Sequence, residues 1–87
     1  MPKYIIHRTV GQLSDAEIAA AGQRSNAALE TLPNVRWIRS YYSAEEGKIY
    51  CEYEAPSLEL LFEHARRANM PMDGASVVRE LEPAMFR

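Results

Sequence analysis

Two histidines, one cysteine and a scatter of acidic and aromatic residues carry the reactive chemistry of this 87-residue chain. His7 stands in the middle of a β-rich run, Lys3 to Val10 (KYIIHRTV). Glu52 and Glu54 sit two apart in another such run, so they share one face of a strand. With His7 turned to that face, an imidazole and two carboxylates form a donor set suited to nickel or zinc. A lone histidine lacks the ligand spacing of an established metal motif. A half-buried histidine hydrogen-bonded at a subunit interface gives the same pattern. His64 follows Leu61 by three residues and precedes Ala65, so it flanks the inner stripe of a helix. It is a further candidate metal donor, or else a helix histidine bonded to a loop carbonyl near Met70–Gly74. Cys51 has no base placed beside it and reads as a small buried hydrophobe. The four methionines, Met70 and Met72 among them, read as loop and core filler.

The elements that must position these residues centre on Val35 to Pro56. Two aromatic and β-branched runs, Val35–Tyr42 and Lys48–Tyr53, flank Ser-Ala-Glu-Glu-Gly, a turn signal in which Gly47 can take positive φ. A turn centred on Glu45 and Glu46 pairs Tyr42 with Ile49, Tyr41 with Tyr50, Ser40 with Cys51 and Arg39 with Glu52. Continued regularly, it also pairs Ile38 with Tyr53 and Trp37 with Glu54. Alternation then gives one face Ile38, Ser40, Tyr42, Ile49, Cys51 and Tyr53, which suits packing against helices. The other face receives Trp37, Arg39, Tyr41, Tyr50, Glu52 and Glu54, an aromatic and charged set suited to a ligand or a wet interface. Arg39 and Glu52 form a cross-strand pair of the kind worth about 0.2–1 kcal/mol.

In the first run Tyr4, Ile6 and Arg8 share one face and Ile5, His7 and Thr9 the other. Both faces hold an isoleucine, so alternation alone leaves the facing open; with Tyr4 and Ile6 placed inward, His7 goes to the face of Trp37. Ser14-Asp15-Ala16-Glu17 is a capping box. Ile18, Ala21, Ser25, Ala28, Leu29 and Leu32 follow at helical spacing, and Pro33 ends that helix near Thr31. Ser57 is the expected N-cap of a second helix, with Leu58, Leu61, Ala65 and Ala68 as its inner stripe. Asn69 is its left-handed terminator. A last strand is expected from Ala75 to Leu81, then a frayed tail. The order is β-α-β-β-α-β. With right-handed crossovers it gives a ferredoxin-like α+β fold, a four-stranded antiparallel sheet with both helices on one face. An aromatic sheet face without a cover calls for a second copy, so a homodimer is expected.

Bulk properties exclude several functions. The chain is long enough for one domain, residues 1–87. Apolar residues make up 47% and charged residues 25%, as in an ordinary globular protein. A net charge of −2, with no basic stripe, speaks against nucleic acid as a partner. No long apolar run predicts a membrane span, and one cysteine without a signal peptide points to the cytoplasm.

Four stretches resemble one family of small bacterial proteins. They are Lys3-Tyr4-Ile5-Ile6, Trp37-Ile38-Arg39-Ser40-Tyr41, Lys48-Ile49-Tyr50-Cys51 through Ala55-Pro56, and Glu63-His64-Ala65-Arg66-Arg67. Most members are described only as a domain of unknown function, and one is described as a nickel-binding protein with a dimeric ferredoxin-like fold. The resemblance implies that fold and nickel as the ligand. It also shows two departures. His7 stands where the family often has Glu, and Arg39 stands where it often has His, so the family's metal site is altered here. The expectation is a small, dimeric, non-enzymatic binding protein for nickel or another divalent metal. Two alternatives stand beside it: a small-molecule binder or cofactor-free enzyme of the dimeric α+β barrel, monooxygenase-like type, and a plain interaction module.

Overall fold

A computed structural model describes residues 1–87. Its elements are β1 (Lys3–Thr9), α1 (Asp15–Leu29), β2 (Arg36–Ser43), β3 (Lys48–Glu54), α2 (Leu58–Arg67) and β4 (Gly74–Val78), followed by a short 3-10 turn, Pro83–Phe86. The strands form one sheet in the order β2-β3-β1-β4, every neighbouring pair antiparallel. This is the expected ferredoxin-like α+β arrangement.

The central strands β1 and β3 alternate between buried and half-buried residues, with Thr9 at the end of β1 exposed. Tyr4, Ile6 and Arg8 of β1 and Ile49, Cys51 and Tyr53 of β3 point into the helix layer and are buried. All of these except Arg8 meet Leu61, Leu32, Val35 and Ala55 in one apolar cluster. The period-2 pattern therefore fixes which way each strand faces, because a one-residue slip would expose the whole set.

Helix α1 begins as its capping box requires. Ser14 Oγ accepts from the Glu17 amide at 3.1 Å, and the Glu17 carboxylate accepts from the Ser14 amide at 2.9 Å. The bond from the Ser14 amide, with a smaller contribution from the Ser14 hydroxyl, holds the Glu17 carboxyl below its ordinary range. Replacing Ser14 with alanine should lower stability by about 1 kcal/mol, read as a reduced midpoint in urea unfolding. The buried residues of α1 are small, Ala21, Ser25 and Ala28. In α2, Ser57 holds the N-cap position but makes no side-chain capping bond. Asn69 takes the left-handed conformation with φ 53°, as expected of its terminator. Arg66 and Arg67 both bind Glu63 at 2.5–2.6 Å, which pulls that carboxyl down to about 2.

The hairpin tip is fixed by two glycines. Gly47 (φ +67°) accepts from the amides of Val10 and Gly11, each at 2.9 Å. A Cβ on Gly47 would lie 3.1 Å from the Gly11 Cα, so the two backbones approach as closely as they do because neither carries a side chain.

Two expectations are corrected. The regular hairpin register holds from Arg39–Glu52 to Ser43–Lys48 but breaks at a bulge between Trp37 and Arg39. Trp37 pairs with Tyr53 and Arg36 with Glu54, so Ile38 is the extra residue. Trp37 thereby turns to the helix side. Its indole N–H donates to Ser40 Oγ at 2.9 Å, and its ring edge faces Gly22 of α1. The last strand is also shorter than expected, ending at Val78, and Leu81 lies outside it and exposed.

Candidate functional site

The sheet face turned away from the helices is built from the outward residues of all four strands. His7 lies opposite Tyr50 on β3 and Gly74 on β4. Its ring sits 5.9 Å from that of Tyr50, tilted by 55°. The absence of a side chain at Gly74 leaves the imidazole open on that flank, since a Cβ there would stand 3.7 Å from Nδ1. Tyr50 donates its hydroxyl to Glu46 at 2.8 Å, and this bond pushes its phenol up. Tyr41, the cross-strand neighbour of Tyr50, is 60% exposed.

Below His7 lies a chain of charges. Glu52 accepts from Lys3 at 2.9 Å and lies 3.4 Å from Arg39. Lys3 also reaches Glu80 at 2.7 Å. Glu80 and Glu52 together hold the Lys3 ammonium well above its usual range, while Lys3 holds the Glu80 carboxyl down. Glu54 is tied to Arg36 at 3.0 Å. These carboxylates are poor metal donors as they stand, because each already neutralises a cation whose charge repels a dication.

His7, Glu52, Glu54, Arg39, Tyr41 and Tyr50 therefore share the outward face. Trp37 does not, for the reason given by the bulge. His64 does not either. It is fully buried on the helix side, its Nε2 3.2 Å from Ser25 Oγ and 3.3 Å from the Ser25 carbonyl oxygen. Burial pushes its pKa down, so it is a neutral core histidine held by α1, a partner other than the loop carbonyl expected. Across one chain no three His, Cys, Asp or Glu residues gather closely enough to hold a metal ion. The donors of a single copy do not by themselves fit a nickel centre.

A second cluster was not visible in the sequence as a site. Arg8 is 1% exposed inside the helix layer. It donates to the Pro71 carbonyl at 2.6 Å and to the Tyr53 hydroxyl at 3.3 Å, and its Nε has no partner. Tyr53 stacks at a tilt on His64, ring centres 5.2 Å apart. Burial drives the Tyr53 phenol up, with the nearby Cys51 adding to the effect and Arg8 opposing it. The available signal was the placement of Arg8 in phase with Tyr4 and Ile6, a guanidinium on an inward face.

Fold and face together define a small ferredoxin-like βαββαβ domain with one histidine on its outward sheet surface. The chain belongs to the family of SCO4226-like nickel-responsive proteins, whose model matches residues 4–78. This is the kind of family the sequence resemblance indicated. The crystal structure of SCO4226 from Streptomyces coelicolor A3(2) superposes with a TM-score of 0.81, covering 92% of this chain and 99% of that one. The two are 22% identical, so this likeness establishes the shared fold. No curated protein sequence matches the chain. No helix is long and apolar enough to cross a membrane.

Proposed function

We propose that this protein is a small, non-enzymatic, cytoplasmic homodimer that binds a divalent metal, nickel foremost, where the outward sheet faces of two copies meet. The observation that carries the reading is His7. It is the one imidazole on that face, flanked by the Tyr50 ring and Gly74 and paired with no carboxylate. Family membership supports nickel as the metal. One chain offers too few free donors, and a two-fold axis near His7 doubles them. Glu52 and Glu54 are the carboxylates within the same face, released only when Lys3, Arg39 or Arg36 moves aside. An always-protonated guanidinium donates no lone pair, so Arg39 weakens the site where a histidine would strengthen it.

Calorimetric titration with nickel, paired with sedimentation, tests the proposal. Wild type should sediment as a dimer at micromolar concentration and bind nickel. His7→Ala should lose the binding, and Arg39→His should tighten it. Binding should also weaken with acid, because protons compete for the imidazole lone pair. Unchanged nickel affinity in His7→Ala, or a monomer in sedimentation, overturns the reading.

A further inference from the structure

On the opposite side of the sheet from His7, a cavity of about 260 Å³ lies between α1 and the inner faces of β2 and β3. Its walls are mostly apolar, with Trp37 and Gly22 on one side and Cys51 and Tyr53 on the other. A dry cavity of about 150 Å³ is enough to take up benzene, so this one has room for a single substituted ring. Two buried residues that carry hydroxyls, Ser25 and Tyr53, line it as well.

The charge behind those hydroxyls gives the ligand its class. Arg8 is buried, and both of its hydrogen bonds go to neutral acceptors. Its Nε has no partner at all. None of the chain's ion pairs reaches it. An interior cation without a counter-charge is costly; Arg8 stands behind the cavity wall, one hydrogen bond away through Tyr53, and an anion at that wall relieves part of the cost. The Tyr53 oxygen accepts from Arg8 and is also hydrogen-bonded to Ser25, so its O–H is polarised and its proton is left to donate to an incoming acceptor. Burial keeps both the Tyr53 phenol and the His64 imidazole neutral, so no other charge in the cluster cancels that of Arg8.

We infer that the cavity under α1 is a binding site for a small monocarboxylate with an apolar body of about one ring, its carboxylate received at the Tyr53–Ser25 end in the field of Arg8. This site is separate from the proposed metal face and does not depend on it.

The test is a titration of ¹⁵N-labelled protein, without added metal, followed by amide and indole NMR shifts. Three probes are compared: benzoate, the neutral benzyl alcohol, and acetate, which has the charge without the ring. Benzoate should shift the Trp37 indole and the Ser25 and Cys51 amides saturably. It should bind about ten-fold more tightly than benzyl alcohol, the factor that one charge-assisted hydrogen bond supplies. Acetate should bind more weakly than benzoate. Arg8→Met should bring benzoate and benzyl alcohol together. Gly22→Leu, which builds a side chain toward Trp37, should remove binding of both. Equal affinity for benzoate and benzyl alcohol, equal affinity for acetate and benzoate, or no saturable shift in wild type each overturns the inference, and none of these three needs a variant to fold.

Discussion

Truncating Tyr53 to alanine should destabilise the protein by about 3–5 kcal/mol, the usual cost of removing a fully buried aromatic ring. The residue is 1% exposed and sits where the sheet, α1 and α2 converge. Its ring contacts His64 of α2, its hydroxyl binds Arg8 of β1, and its strand partner is Trp37 of β2. The substitution opens a hole beside an existing cavity, which limits how far the neighbours can collapse into it. It also leaves the Arg8 guanidinium with one hydrogen bond fewer in the interior. Domains of this size are stable by about 5–15 kcal/mol, so the variant should stand near the edge of folding at room temperature. Tyr53→Phe separates the two contributions. It keeps the ring and removes only the hydroxyl, so it should lose about 1–3 kcal/mol. Urea unfolding of both variants checks this. Equal losses would mean that the hydroxyl, not the ring, holds the layer together.

Much of the fold was legible because its signals are local. A capping box at Ser14, a proline after Leu32 and a left-handed Asn69 bound the helices. Alternation in Lys48–Tyr53 oriented one central strand, whereas in Lys3–Val10 both faces hold an isoleucine, so His7 reached the outward face only through the choice of Tyr4 and Ile6 as the inward residues. The hairpin register followed from the turn and holds through Arg39–Glu52. It failed at Trp37 because a bulge adds a residue that a period of two has no place for. Trp37 and Ile38 are both large and apolar, so either fits the inner face. The structure chooses Trp37, whose ring edge meets Gly22 and whose indole N–H finds Ser40. The site was harder to read. Whether a histidine is available depends on what α1 presents to it, and Ser25 is 39 residues from His64. Arg8 was placed inward by its phase, yet no sequence pattern says that its partners are the Pro71 carbonyl and Tyr53 rather than an acid. The end of β4 was overrun because Leu81 continues the apolar pattern although it lies exposed past the strand.

The commitment of His64 to the core has a consequence for acid stability. Burial is the first cause of its lowered pKa, and the nearby Arg8 charge adds to it, while the Ser25 carbonyl works the other way. The folded state therefore resists protonation at a pH where the unfolded chain, with its ordinary value of 6.5, accepts a proton. The sign follows directly. The contribution is fully present above the unfolded value and is lost as pH falls from there toward the lowered folded value. Within that window one extra proton on the unfolded state reduces stability by about 1.4 kcal/mol per pH unit. The groups facing the ring are Arg8, Tyr53 and Ser25, none of which changes charge in this range. Carboxylates such as Glu63, held down to about 2 by its two arginines, lose their protection only at lower pH. Urea unfolding at pH 7.5, 6.5 and 5.5 should show wild type losing stability steadily below the middle value. His64→Gln keeps a polar group within reach of Ser25 but carries no titrating ring, so its stability should stay nearly flat over the same interval. An identical slope in wild type and His64→Gln would assign the acid sensitivity to another group. A slope that vanishes with His64 would establish that this histidine is a structural element of the core, which leaves His7 as the only imidazole with a face to offer a ligand.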